Sequence, residues 1–496
     1  MAPLINDLQR NETASAKQIV KRKIYSADNF VLWLIMRKRY SHASLYLSSP
    51  TRFLRMRQIL IVIAVAPLAT PLWGQATVYP NENVRPVYDR LLRAIQQIRI
   101  FDNHSHPGYA DDPDVDAMAS PPGTAALRIR PDNPELAAAS RALFGYPFSD
   151  FSPQHQTWLV ARKRELQRNE GTHYFDKILD QLGIQTVVAN RVAMPPYLDR
   201  NRFLWAFFVD SFLFPFDNTQ FRTRNTDEQV YIPLQEKLLA RELQQAGLQQ
   251  LPKSFDGYLQ FISRILELNR RHGAVSIKFE AAYFRSLKFS DPSEEQARAV
   301  YQRFRGSGVP PAAGYTLFQD FIFRYLLREA GRLNLAVQIH TSVGPGDFFN
   351  LENGNVLNLE NVLRDPRYDS VRFVLLHGGF PYEHQAIWLT ARKNVFLDSS
   401  LVELYLYPAE FKNVLKYWLS IYPDKLVYGS DAFPFNEALG AEECYWLAVH
   451  SAREALAGAL AELVSEHAFT EQQALRFAHA YLHDTAATLY QPALDH

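Results

Sequence analysis

The chain has 496 residues, 47% of them hydrophobic and 21% charged, with a formal net charge of +1. This profile closes a large core and excludes a dedicated nucleic-acid binder, which presents a basic face. A single cysteine, Cys444, excludes an intrachain disulfide and a cysteine-rich zinc site, so any metal must be held by His, Asp, Glu or Lys.

Residues 1–55 mix basic clusters (Lys21-Arg22-Lys23, Arg37-Lys38-Arg39) with short apolar pieces that keep no period. They read as a non-native or disordered extension. At Met56 the pattern changes to a basic start, an apolar run over 59–66, then Pro67 and small residues up to Gly74-Gln75-Ala76. That is the order of a secretory signal, and the run is too short to span a bilayer comfortably. The expectation is a start at Met56, a signal peptide over 56–76 and a mature domain over 77–496. The mature protein would be periplasmic or secreted, with no membrane association after cleavage. The competing reading is an N-terminal membrane anchor or a disordered extension.

In the mature domain a short β-rich run ending in polar residues recurs, followed each time by a longer helical pattern. The runs fall at 98–106, 184–191, 202–212, 274–280, 335–341, 371–378, 394–399 and 425–431. Several are almost continuously apolar, as strands buried on both faces must be. Helical patterns lie between them, at 174–182, 258–271, 315–332 and 410–421 among others. Strands alternating with helices imply right-handed βαβ units, and eight of them predict an α/β fold of the (β/α)8 TIM-barrel type. No glycine-rich phosphate loop follows the first run, which weakens a dinucleotide-binding fold. Helical insertions are expected at about 107–171 and 217–255, and the tail 452–496 reads as helix packed outside the barrel.

A barrel of this kind carries its active site at the C-terminal strand ends. There the first run ends in His104-Ser105-His106, the fifth in His340, the sixth in His377 and the eighth in Asp431. Residues two apart on a strand share a face, so His104 and His106 can meet one ion. A lone strand-end histidine is more often a core or hydrogen-bonding residue, and an aspartate after a strand is often a helix N-cap. An imidazole or carboxylate straight after an apolar run is nevertheless costly unless bonded or bound to metal. Four such positions on four strands are hard to explain separately.

This ordered set resembles the ligand pattern of the amidohydrolase superfamily. The text HGGFP at 377–381, NVFLDSS at 394–400 and YGSDAFPF at 428–435 is similar to its amidohydrolase-related (type 2) branch. The resemblance implies that His104, His106, His340 and Asp431 hold a divalent metal, one or two ions, for which zinc suits the donors and manganese or iron remains open. It implies that Asp431 moves the proton of a metal-activated water, while His377 polarises the scissile carbonyl or orients that water. Lys278, in the apolar fourth run, keeps three readings: a carbamylated bridge between two metals, a contact to substrate carboxylate, or an ion pair with Glu280. The segment KFEAAYFR at 278–285 also looks like amidohydrolases related to γ-glutamyl chemistry.

By position alone, Asn190, Arg191 and Arg285 are candidates for substrate binding, an arginine offering a bidentate fork to a carboxylate; a loop salt bridge is the plainer reading of each. His384 and Asp398 are candidates for orienting a ligand, and Tyr283 reads as core. The expected activity is hydrolysis of an amide-type C–N bond of a small molecule, in the cell envelope, by an enzyme that can form homo-oligomers. The alternative is a metal-dependent decarboxylase, since the type 2 branch also contains such lyases.

Overall fold

A computed structural model of the chain describes residues 82–116, 126–341, 344 and 349–494. The expected extension over 1–55 and signal over 56–76 lie outside the described residues. Eight strands are formed: β1 (Ile100–Ser105), β2 (Ile184–Asn190), β3 (Phe203–Phe208), β4 (Ala274–Phe279), β5 (Ala336–His340), β6 (Phe373–Leu376), β7 (Val395–Asp398) and β8 (Leu426–Val427). They pair in parallel in sequence order, and all eight fall inside the runs expected from the sequence. The sheet closes on itself through the stretch after β8. Asn103 N donates to Tyr428 O, Asp431 N to His104 O and His106 N to Ala432 O, each at 2.8 Å. The eight-stranded barrel is therefore the fold.

The strands form where they do because β-branched, leucine and aromatic residues lie between turn and helix signals. Helices cover the outside and bury an apolar stripe. In Phe255–Arg271 that stripe is Phe255, Tyr258, Leu259, Ile262, Ile265 and Leu266, at helical spacing. Its start is fixed by Ser254, whose side chain accepts Gly257 N at 3.1 Å. The segments between β1 and β2 and between β3 and β4 carry additional helices, including Pro134–Phe144, Pro153–Glu170 and Thr226–Gln245.

The barrel interior is graded from apolar to polar. Phe101, Val188, Ala206, Ala336, Val374 and Val427, from six different strands, cluster with Leu489 and Tyr490 of the C-terminal helix Thr485–Leu494. The tail was expected to pack outside. Helix Ala441–Ser465 does so, against Arg85–Ile95 and Pro408–Leu419, but Thr485–Leu494 plugs the floor instead. The floor side chains are small, and Tyr490 fills the space between them, stacking on Phe101 at 5.9 Å and 8°. Ala486, Leu489, Tyr490 and Ala493 follow an i, i+3, i+4, i+7 pattern that presents one face to this floor.

Candidate metal centre

Above the apolar floor, the strand ends bring titratable side chains together. A register irregularity in β1 between Asp102 and Ser105 marks a place where a bulge re-aims side chains. The hydrogen bonds that close the barrel then carry Asp431 to β1. Asp431 Oδ1 lies 3.0 Å from His104 Nε2 and 3.4 Å from His106 Nε2. From the sixth strand end, His377 Nδ1 lies 4.0 Å from Asp431 Oδ2, and its Nε2 lies 2.9 Å from His340 Nδ1. His104, His377 and Asp431 each offer a ligand atom within 4.8 Å of the others. His106 and His340 flank this trio, so the structure gathers all five residues singled out in the sequence, with His377 inside the cluster.

The backbone is strained where it delivers two of them. His377 has φ 64° and Asp431 φ 51°, the left-handed region that non-glycine residues avoid at a cost of about 1–3 kcal/mol. The chain after His377 must also pass close to a neighbour. A Cβ on Gly378, itself at φ 62°, would lie 2.5 Å from Trp418 Cη2. Gly429 similarly admits the Asp398 carboxylate, and a Cβ there would lie 2.9 Å from Ser400 Cβ.

Burial sets the charges. It holds His104 and His340 well below the usual imidazole range and brings His377 down to about 4, so these rings are neutral. Burial opposes ionisation of Asp431 too, but His377 beside it and the hydrogen bonds from His104 and His106 outweigh that effect and hold the carboxyl well below its ordinary value. Neutral imidazoles around one carboxylate form a donor set suited to a divalent cation. Among the buried ring nitrogens with no hydrogen-bond partner is His340 Nε2, as expected of a group shaped for an ion. The residues present therefore fit a metal.

Hydrogen bonds beneath the cluster fix its members. Asp102 accepts His104 N at 3.2 Å, Ser430 N at 2.9 Å and Ser430 Oγ at 2.5 Å, tying β1 to the loop that carries Asp431. Asp398 accepts Asn103 Nδ2 at 2.8 Å, His377 N at 3.3 Å and Ser400 N at 2.9 Å, and also the Ser400 hydroxyl. Ser400 Oγ in turn lies 3.0 Å from His377 Nδ1. Asp398 thus does orient a site imidazole, whereas His384 is exposed beside Glu383 and Tyr417, away from the cluster.

Lys278 is buried with Nζ 3.5 Å from His104 Nε2 and 4.0 Å from Glu280 Oε1, so it faces both the cluster and the carboxylate of the ion-pair reading. Asn190 is fully buried and its Oδ1 is unpaired. The two arginines present no free fork. Arg191 donates to Asp112 at 2.5 Å and to the carbonyls of Pro107 and Ala193, and Arg285 donates to Asp320 at 2.6 Å. Their partners are acids distant in the chain, which local sequence does not reveal.

Two neighbours escaped the sequence reading, Asp116 and Ser400, and Tyr283, which does pack against the core, also touches the cluster. Asp116 Oδ2 lies 3.2 Å from His106 Nδ1. Tyr283, expected in the core, packs its ring 4.7 Å from that of His340. Ser400 is the link between Asp398 and His377; only its place in the NVFLDSS text signalled it.

Residues 265–491 match the family model described as amidohydrolase. Among curated proteins, the protein fluG of Emericella nidulans is 30% identical over 160 residues, 32% of this chain. Those residues are 18% of that protein, so the match spans less than a fifth of its length. Among solved structures, a protein described as a metal-dependent hydrolase from Lactobacillus casei shares 16% identity with a TM-score of 0.52, over 81% of this chain and 97% of its own. A uronate isomerase from Thermotoga maritima shares 13% identity at a TM-score of 0.53, over 82% and 97% of the two chains. A glucuronate isomerase from Caulobacter crescentus gives 13% and 0.53 over 86% and 97%. These likenesses concern the fold. Over 265–491, a little under half of its length, this chain is similar to the amidohydrolase family, and the barrel with its histidine–aspartate cluster agrees with that likeness.

Proposed function

We propose that this enzyme hydrolyses an amide-type C–N bond of a small molecule. The observation that carries the reading is one ionised carboxylate, Asp431, set among neutral imidazoles at the strand ends. His104, His106, His340 and Asp431 would hold the metal, with zinc favoured by imidazole and carboxylate donors. His340 has a bare Nε2 to offer. When bound, the ion supplies Lewis acidity that lowers the pKa of a water towards about 7.

The chain's own residues do the rest. Asp431 Oδ1 faces two imidazoles, which leaves Oδ2 to take a proton from water and return it to the leaving amine. His377, held through Nδ1 by Ser400, stays fixed and neutral, able to orient the water or the scissile carbonyl. With Arg191 and Arg285 engaged elsewhere, Lys278 is the cation at hand for a substrate carboxylate or a second ion.

The second reading is a decarboxylase on the same donor set. A buried cation 3.5 Å from His104 supports it, because it would hold a carboxylate against the cluster. An isomerase, as among the uronate isomerases of like fold, would use the same residues for proton transfer.

The deciding experiment is metal analysis of protein purified from Thr77 onward, alongside His104→Ala and Lys278→Ala, followed by product analysis on N-acyl amino acids and aromatic acids. About one or two divalent ions per chain, lost in His104→Ala, with free amine and carboxylate as products, is the expected result. Carbon dioxide release would replace the hydrolase with the lyase, and no bound metal after reconstitution would remove both. Residues 56–76 are proposed as the export signal of a periplasmic or secreted enzyme; N-terminal sequencing of exported protein beginning at Ala2 would refute that.

A further inference from the structure

We propose that the C-terminal helix is a working part of the site, and that Tyr490 is a positioning residue acting on His377 through Asn103 and Asp398. The inference rests on the reading of His377 as a residue of the reacting site. Its ground is a continuous, buried hydrogen-bond chain that runs from the barrel floor to the metal cluster, with a direction set by chemistry.

Gln338 Nε2 is the starting donor. It donates to Asn103 O at 2.8 Å and to Tyr490 OH at 2.7 Å. Turning this amide around would set its oxygen against the Asn103 carbonyl, so the orientation is forced. Tyr490 already accepts from Gln338 and spends its own hydrogen on Asn103 Oδ1, at 2.6 Å. Asn103 Oδ1 is thereby fixed as the acceptor, and Nδ2 must face Asp398 Oδ2, at 2.8 Å. The reversed amide would place oxygen against the carboxylate.

From the rim, the Ser400 hydroxyl donates to Asp398 Oδ1 and His377 Nδ1 lies 3.0 Å from Ser400 Oγ and 3.3 Å from Ser400 O. The Ser400 hydroxyl hydrogen is committed to Asp398, so His377 Nδ1 must carry the hydrogen that closes this contact. Its Nε2 is then the bare nitrogen, facing His340 and the cluster. The tautomer follows from the network. Both arms converge on Asp398, which, like Asn103 and Ser400, is 0% exposed. The hydroxyl of Tyr490 thus bears on His377 through a single shared carboxylate. Groups that hold a metal-site imidazole from behind typically change metal affinity or activity about 10–100-fold when removed.

The test is Tyr490→Phe, which keeps the ring on Phe101 and removes only the hydroxyl. Leu489→Val, in the same floor cluster but outside the hydrogen-bond chain, controls for loosening of the helix. Histidine 15N labelling of the metal-free protein, with the His377 signals assigned by His377→Gln, reads the tautomer directly. Tyr490→Phe is expected to move the His377 Nδ1 and Nε2 shifts towards a tautomer mixture, while Leu489→Val leaves them in place. Unchanged His377 shifts in Tyr490→Phe, or equal changes in both variants, would overturn the proposal. The nitrogen shifts are read without metal or substrate, so they decide this inference even if the amide-hydrolase reading fails.

Discussion

The barrel is closed by side-chain chemistry as much as by strand pairing, and Asp102 shows how much. Its carboxylate is 0% exposed and accepts His104 N, Ser430 N and Ser430 Oγ across the junction between the first and last strands. In Asp102→Ala, Ser430 N keeps a second acceptor in His104 O at 3.1 Å, but His104 N and the Ser430 hydroxyl lose theirs. Two buried donors left unpaired cost about 1–3 kcal/mol each, giving a loss of about 2–6 kcal/mol. Asp102→Asn restores an oxygen for the two N–H groups and offers an amide hydrogen to Ser430 Oγ, so it should lose only about 1 kcal/mol. Urea unfolding of the metal-free proteins at one fixed pH, followed by tryptophan fluorescence and circular dichroism, measures both. The seam also carries His104 and Asp431, so chelator competition with zinc should show weaker binding in the alanine variant than in the asparagine one. If Ala and Asn lose the same stability, the hydrogen-bond argument is wrong and only the shape of Asp102 matters.

Three further outcomes follow from single positions. Gly378→Ala should cost about 2–5 kcal/mol, from a left-handed φ of 62° plus overpacking against Trp418, whereas Gly145→Ala, at φ 68° with open space around it, should cost only about 1–2 kcal/mol; equal urea midpoints would refute this. Glu242 is buried and pushed up from 4.5 to about 8 by desolvation, so the folded protein binds its proton more tightly than the unfolded chain. Its stabilising share is complete below about pH 4.5 and is lost as pH rises through about 8, by up to about 5 kcal/mol; Glu242→Gln should lack that decline, and parallel stability–pH curves for the two proteins would refute the assignment. The Cys444 thiol is buried and raised by burial, so a thiol reagent should react with it only after denaturation, and rapid labelling of native protein would contradict its placement.

What could be read in the sequence follows the range of the interactions involved. The strands were legible because burial on both faces leaves continuous apolar runs, and their ends were overestimated where pairing changes partner. The last run, 425–431, yields a strand of two residues because Tyr428 N donates to Tyr481 O and the residues beyond pair with the end of β1. His104, His340, His377 and Asp431 were legible because a polar residue after an apolar run stands out. The partners of Arg191 and Arg285 were not, since Asp112 and Asp320 lie 79 and 35 residues away, and nothing local marks which acid will fold against them. The floor helix escaped for a related reason. Its apolar stripe says that Ala486, Leu489, Tyr490 and Ala493 are covered, but not that a barrel interior covers them.

The same geometry explains why the site can carry so many buried polar groups without unfolding the barrel. Inward-facing residues alternate along each strand, so a strand that supplies Phe101, Ala336 or Val427 to the floor also supplies polar groups to the rim. A strand end cannot be made polar without carrying the charge into a low-dielectric interior, where each unpaired group costs about 1–3 kcal/mol. The chain limits that cost by keeping His104, His340 and His377 neutral and by giving Asp102 and Asp398 several donors each. Among the groups that stay uncompensated at the strand ends are the bare Nε2 of His340 and the ionised Asp431. A divalent cation would satisfy those groups together, and so would stabilise the fold by occupying the site. Metal-loaded protein should therefore unfold at higher urea than metal-free protein, with a midpoint that rises with free metal concentration, and a midpoint indifferent to metal would count against the cluster as a cation site.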